Sequence, residues 1–144
     1  MRIEVVHRGT SRITGLEVRG QFADLGRLVP EAWRRLASSG APQGRTYAEL
    51  SRAVADGYVE VIGLLDADLS LRGLRTVTVE VPAGEWVRHV HEGPVEAVAA
   101  AFGRIQDWAR SQGREPSGEL LDVGYRLDGE DGAHELWVRL AEGT

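Results

Sequence analysis

Apolar residues recur along this chain with two different periods, and the two periods predict strands and helices in a repeated order. Alternation with a period of two is typical of strands that bury one face, and spacing of three to four residues is typical of amphipathic helices. The segments predicted as strands are Ile3–His7, Arg12–Arg19, Tyr58–Leu65, Arg75–Val81, Trp86–His91, Leu120–Leu127 and Glu135–Leu140. Helices are predicted from about Asp24 to Ser39 and from about Pro94 to Gln112, with a loop after the first.

The first predicted helix contains a proline. Its apolar stripe is Leu25, Leu28, Val29, Ala32, Trp33 and Leu36, and Asp24 is available as an N-cap. Pro30 would remove a helical hydrogen bond. Either the first turn is a separate piece, or the regular helix begins near Val29.

The second predicted helix has clearer ends. Pro94 suits a first helical turn, and Gly113 is expected to terminate the helix. Each helix carries a tryptophan in its C-terminal third, Trp33 in the first and Trp108 in the second. The similarity of the two segments indicates a duplication, with halves of about residues 1–74 and 75–144.

Two strand-strand-helix-strand units predict an α+β fold, with the two main helices packed on an antiparallel sheet. Hairpins are expected between consecutive strands, including a tight Pro-Ala-Gly turn within Val81–Trp86. The units are expected to be related by a pseudo-twofold axis, with a ligand cleft between the halves.

Composition limits the classes of function. The 144 residues are 42% apolar and 27% charged, as expected for one soluble domain over residues 1–144, and cysteine is absent. The N-terminus has no signal-peptide pattern, and no stretch has the ~20 apolar residues that span a bilayer. We therefore expect a cytoplasmic protein without membrane contact. A net charge of −5 with mixed signs also argues against direct contact with nucleic acid.

No metal, cofactor or hydrolase motif emerges. His89 and His91 could point to one side of a strand, but zinc needs three or four converging ligands. The chain contains no G-x-S-x-G nucleophile elbow, no G-x-G-x-x-G loop and no P-loop. We expect no metal and no cofactor.

A series of short motifs resembles the GyrI-like family, the effector-binding domains of AraC-type regulators, over nearly the whole chain. The central motif is Val81–Trp86 followed by His91–Pro94, which resembles that family's "iPAG-aromatic" run and the step into its second helix. Further segments resemble other family motifs in the same order: Val29–Leu36, Gly57–Gly63, Leu71–Leu74 and Glu135–Leu140. The chain departs from the family at Arg139, where proline is usual, and at Gly124-Tyr125, where Asp122 is the nearest acid.

The resemblance implies a multidrug-type domain that binds lipophilic, drug-like and in some cases cationic small molecules. In bacterial transcription regulators such a domain is attached to a DNA-binding segment. Here the first strand begins at Ile3, so we expect a stand-alone domain without a DNA-binding segment, with a separated fragment of a regulator as the alternative.

The candidate ligand-binding residues are an acid and a set of aromatic residues. Glu135 and Trp137 share one face of the last strand, where a carboxylate beside an indole suits a cation. The resemblance implies that Glu135 is the pocket acid, although a solvated strand residue is the alternative. The other candidates, each of which could instead pack in the core, are Trp86, Tyr125, Tyr58, Trp108 and Trp33.

Two further functions stay open. Some GyrI-like proteins hydrolyse strained, cyclopropane-bearing molecules, and Glu135 would then be the general base. The resemblance also allows a protein-binding module that inhibits a partner such as gyrase. The acidic turn Asp128–Gly132 could mimic nucleic acid in such a complex. The sequence does not determine the oligomeric state.

Overall fold

The computed structural model describes residues 2–128 and 132–143, which form eight strands and two helices. The strands are β1 Ile3–Arg8, β2 Ser11–Gly20, β3 Tyr47–Val54, β4 Gly57–Leu65, β5 Val77–Val81, β6 Gly84–His91, β7 Pro116–Tyr125 and β8 His134–Leu140. The helices are α1 Phe22–Ser38 and α2 Val98–Ser111, the latter preceded by a short 3-10 turn, Val95–Ala97.

All eight strands belong to one antiparallel sheet, in the order β1-β6-β8-β7-β3-β4-β2-β5. The order is symmetric about the β7–β3 pair, with β4 corresponding to β8, β2 to β6 and β5 to β1. Both helices pack on the same sheet, α1 against β2 and β4 and α2 against β6, β7 and β8. The predicted α+β fold with two related halves is therefore confirmed.

The two halves correspond at an offset of 73 positions in most elements and of 74 positions between β4 and β8. Phe22 and Val95 each open a helical segment, and Ile13 and Trp86 occupy equivalent positions on β2 and β6. The duplication inferred from the two helices is thus visible in the strand register as well.

The sheet curls back on itself, because β5 and β6 are consecutive in the chain but far apart in the strand order. β5 is followed immediately by β6, yet six strand spacings separate them, which is about 29 Å in a flat sheet. Pro82-Ala83, the only residues between them, span at most about 10 Å. The ends of the sheet must therefore approach each other, and the face away from the helices becomes an enclosed core around Trp86.

Two glycines permit close contact between strands in this curled sheet. Gly15 on β2 and Gly63 on β4 are directly opposite. A Cβ atom on Gly63 would lie 1.9 Å from the backbone oxygen of Thr14, and one on Gly15 would lie 1.7 Å from that of Ile62. Only glycine fits at these positions.

Three local expectations were wrong. The segment Tyr47–Val54 is strand β3, not a loop, and it forms a hairpin with β4 through Ala55-Asp56. The Pro-Ala-Gly segment is not a hairpin, since β5 pairs with β2 while β6 pairs with β1 and β8. Helix α1 continues through Pro30, and its N-cap is Gln21 because Asp24 already lies in the first turn.

Within the described ranges, no helix combines the length and the apolar character needed to cross a membrane. Residues 129–131 of the predicted acidic turn lie outside these ranges.

Candidate functional site

A cleft of about 530 Å³ lies between the two helices, on the helix-bearing face of the sheet. Its volume falls within the range of ~300–1,000 Å³ that is typical of small-molecule sites. Both halves contribute to its lining, which includes the starts of both helical segments and the centres of β3, β4 and β7.

Three acidic side chains on neighbouring strands form the floor of the cleft. Glu49 on β3 and Asp122 on β7 are directly opposite each other in the sheet register. Glu60 on β4 is next to them, opposite Ser51. Asp122 is 2% exposed and Glu60 is 9% exposed. No lysine, arginine or histidine is among the described residues that line this cleft.

Glu49 has the most perturbed acidity of the three. Burial, followed by repulsion from Glu60 and Asp122, raises its pKa from 4.5 to about 8, although hydrogen bonding from Trp33 and Tyr125 opposes the shift. The residue is partly exposed, but its oxygen Oε1 is buried and has no hydrogen-bond partner. Burial also raises the pKa of Glu60, against the effect of a hydrogen bond from Ser51.

Asp122 differs from Glu49 because it has a basic partner. The ring nitrogen Nδ1 of His134 on β8 is 2.6 Å from Oδ1 of Asp122, and His134 is 1% exposed. The two groups share one hydrogen bond, which the Nδ1–H tautomer of His134 donates to the carboxyl oxygen. The other oxygen of Asp122, Oδ2, is buried without a hydrogen-bond partner.

Aromatic rings enclose this acidic cluster on one side. Tyr125 lines the cleft and packs against Trp33, with 4.6 Å between ring centroids. Its ring is nearly perpendicular to that of His134, with 4.7 Å between the centroids. Burial and the nearby acids raise the pKa of the Tyr125 hydroxyl. Tyr125 therefore remains a neutral hydrogen-bond donor at the floor.

The upper walls are apolar and exposed. Phe22 at the start of α1 is 77% exposed, and Val95 at the start of the second helical segment is 38% exposed. Phe22 lies beside Tyr58, with 6.1 Å between ring centroids. Farther in, α2 contributes Val98 and Phe102. A ligand would thus meet apolar side chains before it reaches the acids.

The structure brings only part of the sequence-predicted set to this cleft. Tyr58 and Tyr125 line it directly. Trp33 is not in the lining, but it packs against Tyr125 and hydrogen-bonds Glu49 on the floor. Trp108 packs in the core under α2.

The other predicted residues lie on the opposite face of the sheet. Glu135 is 2.9 Å from the guanidinium nitrogen Nε of Arg88, in a surface ion pair. Trp137 and Trp86 belong to the enclosed core on that face, and the guanidinium of Arg88 lies 5.7 Å from the Trp137 ring centroid. The prediction that Glu135 and Trp137 face away from the helices is correct, but the cleft is on the helix side.

The acids of the floor were not among the predicted site residues, although the sequence contains a signal for them. Tyr47–Val54 alternates like a strand and is followed by the turn signal Asp56-Gly57. Glu49 is also 73 positions before Asp122, the same offset that separates Phe22 from Val95. The duplication therefore places the two acids in equivalent positions.

The acidic cluster lacks the arrangement of a metal site. In the described part of the chain, no group of three or more His, Asp or Glu residues could hold a metal ion.

Comparison with known proteins gives structural likeness without sequence likeness. No family model and no curated protein matches the chain. SAV2435, solved in complex with tetraphenylphosphonium, matches with a TM-score of 0.74 and 13% identity, over 99% of this chain and 95% of SAV2435. The C-terminal domain of EcmrR matches with a TM-score of 0.62 and 12% identity, over 97% of each chain. A hydrolase from Listeria innocua matches with a TM-score of 0.58 and 11% identity, over 97% of this chain and 92% of that one. Taken with the strand order and the paired halves, these likenesses show that the protein has the GyrI-like fold.

Proposed function

We propose that this protein binds lipophilic organic cations in the cleft between α1 and α2. The observation that supports this most strongly is the acidic floor of Glu49, Glu60 and Asp122, beneath apolar walls and without a basic residue among the described lining. A cation that reaches the floor gains Coulomb attraction to carboxyl groups that are largely buried. Its apolar body is buried against Phe22 and Phe102.

One structural neighbour supports the same ligand class. SAV2435 was solved with tetraphenylphosphonium, a bulky cation with four phenyl groups. We propose that the present cleft accepts a cation of this kind and that the protein is a small-molecule-binding domain.

A pair of probes of matched shape and opposite charge tests the proposal. Tetraphenylphosphonium and tetraphenylborate have nearly the same size and apolar surface, so a difference between them reports on charge. We expect the cation to raise the melting temperature with a saturable dependence on concentration, because it binds only the folded state. The anion should give no stabilisation. Equal stabilisation by both ions, or by neither, would contradict the proposal.

Variants locate the site. Glu49→Gln should weaken binding of tetraphenylphosphonium at pH 9, where the wild-type carboxyl group is ionised. Glu135→Gln is the matched control, since it removes a carboxylate on the opposite face of the sheet. If Glu135→Gln weakened binding and Glu49→Gln did not, the ligand site would lie on the other face.

Hydrolysis of a strained electrophile is the second candidate, and the state of Glu49 favours it. A carboxyl group with a pKa of about 8 can serve as general acid or base near neutral pH, and Tyr125 is beside it. One structural neighbour is a hydrolase. We expect turnover of a cyclopropane-bearing electrophile to be lost in Glu49→Gln and kept in Glu135→Gln. Wild-type protein that gives no product over the buffer rate would eliminate this candidate.

A further inference from the structure

The centre of the cleft contains two carboxyl groups whose charges are only partly compensated. Glu49 and Asp122 are opposite each other on β3 and β7. Glu49 Oε1 and Asp122 Oδ2 are both buried, and neither has a hydrogen-bond partner. Buried carboxylate oxygens normally accept hydrogen bonds, so this arrangement is costly when both groups are ionised.

The elements packed around Glu49 contribute acids and neutral groups, and the α2 residues that line the cleft carry no charge. β7 contributes Asp122 and Tyr125, and β4 contributes Glu60. α1 contributes only the neutral indole of Trp33, and the 3-10 turn contributes Glu96 to the cleft lining. Glu49 is therefore surrounded by acids and neutral donors.

The nearest base acts on the other acid. His134 on β8 contacts Asp122 Oδ1 at 2.6 Å. It takes the position that Glu60 occupies in the first half, because each lies two residues before the partner of the central acid, Ile62 opposite Glu49 and Leu136 opposite Asp122. The pseudo-twofold symmetry is thus broken: Asp122 has a basic partner, whereas Glu49 has a further acid.

We propose that the cleft exchanges a proton for an organic cation: the Glu49 carboxyl group holds a proton in the empty cleft and releases it to solvent when the cation binds. This inference rests on the proposed function. The step is balanced, since a neutral acid and a free cation become a carboxylate–cation pair and a proton taken up by buffer. The ligand supplies the positive charge that the proton supplied before.

The raised pKa of Glu49, about 8, sets the expected size of the effect. At pH 7 about nine-tenths of a proton should leave for each cation bound, and at pH 9 only about one-tenth. The dissociation constant should fall about tenfold between pH 6 and 7, and about tenfold again between pH 7 and 9.

Calorimetric titration with tetraphenylphosphonium measures this release directly. The probe has no titratable group, so any proton must come from the protein. Titrations at pH 7 are made in phosphate and in Tris, whose ionisation enthalpies differ. The slope of the observed binding enthalpy against the ionisation enthalpy of the buffer gives the number of protons released. We expect a value near one at pH 7 and a value near zero at pH 9. Binding with no dependence on buffer at pH 7 would overturn the proton exchange and leave the proposed function intact. No binding at any pH would instead refute the proposed function.

Variants identify the proton donor. In Glu49→Gln the release at pH 7 should disappear and the affinity should no longer depend on pH. In Glu135→Gln both should match the wild type. Release that persists in folded Glu49→Gln would show that another group, such as Glu60 with its raised pKa, supplies the proton, and would overturn the assignment to Glu49. If Glu49→Gln does not fold, the buffer and pH series on the wild-type protein still decides whether proton exchange occurs. The ¹³C chemical shift of the Glu49 carboxyl group during titration with tetraphenylphosphonium then shows whether Glu49 is the group that loses the proton.

Discussion

Replacement of Glu49 by glutamine should change how stability depends on pH, even without ligand. Burial and neighbouring acids raise the pKa of Glu49 from 4.5 to about 8. Between these values the folded protein keeps a proton on Glu49 that the unfolded chain has lost. The folded state binds more protons, so this group makes the free energy of unfolding fall as pH rises from 4.5 to 8. Below 4.5 the carboxyl group is neutral in both states, and its contribution vanishes.

The magnitude follows from the pKa. Each pH unit within this window corresponds to about 1.4 kcal/mol. From pH 5 to pH 7 the wild-type protein should therefore lose about 3 kcal/mol relative to Glu49→Gln, because glutamine is neutral in both states. This is a large fraction of the total stability of a small domain, which is about 5–15 kcal/mol.

Urea denaturation of both proteins at pH 5, 6, 7, 8 and 9 measures this difference. Urea is preferable to guanidinium because guanidinium salts screen charges. We expect the difference to grow steadily up to pH 8 and then level off. Glu135→Gln should track the wild type, since the exposed pair with Arg88 contributes little. A difference between Glu49→Gln and the wild type that stays constant from pH 5 to pH 8 would show that Glu49 is ionised in the folded protein, and would refute the reasoning.

Other changes test the walls, the sheet and the face of the ligand site. Gly63→Ala should destabilise the fold by several kcal/mol in thermal melts, because its Cβ would lie 1.9 Å from a backbone oxygen. The control Gly26→Ala, in open space on α1, should stabilise the fold by up to about 1 kcal/mol. A mild effect of Gly63→Ala would argue against the close strand contact. Phe22→Ala should weaken binding of tetraphenylphosphonium about 5- to 30-fold in calorimetry, because it removes apolar contact worth about 1–2 kcal/mol. The control Val54→Ala, at an exposed residue outside this cleft, should leave the affinity unchanged. Equal effects of the two substitutions would show that Phe22 is not part of the site. Affinity in Glu135→Gln should stay within about twofold of the wild type, and a larger loss would place the ligand on the opposite face of the sheet.

Periodicity predicted most of the elements but missed β3, which has polar residues on its helix-facing side although Ala48 and Leu50 on its other side are buried. β8 alternates between buried aliphatic residues and Glu135, Trp137 and Arg139, and its faces were assigned correctly. β3 directs Glu49 and Ser51 towards the helices, so its helix-facing side does not resemble a core strand. A binding site places polar groups where patterning expects apolar ones, and a pattern-based prediction is expected to fail there.

Strand pairing was harder to predict than strand position. The Pro-Ala-Gly segment has the composition of a hairpin turn, and hairpins join most consecutive antiparallel strands. Here Pro82-Ala83 crosses between strands that are six places apart in the sheet. The link is held by long-range contacts, including a hydrogen bond from Arg139 to the carbonyl oxygen of Ala83 at 3.1 Å. Local sequence contains no information about such a partner.

The pseudo-symmetry explains why the acids are at the centre of the cleft and why the two ends of a ligand should differ. Glu49 and Asp122 are equivalent residues of the two halves and are paired with each other. The pseudo-twofold axis that relates the halves therefore passes beside both residues. Because the cleft lies between the halves, these two acids lie at its floor. The flanking positions have diverged, with Glu60 in the first half and His134 in the second. Because the compensating base is on the second half, the unbalanced negative charge lies towards β3 and β4. A bound cation should therefore direct its charged centre to the first half and its apolar surface to α2.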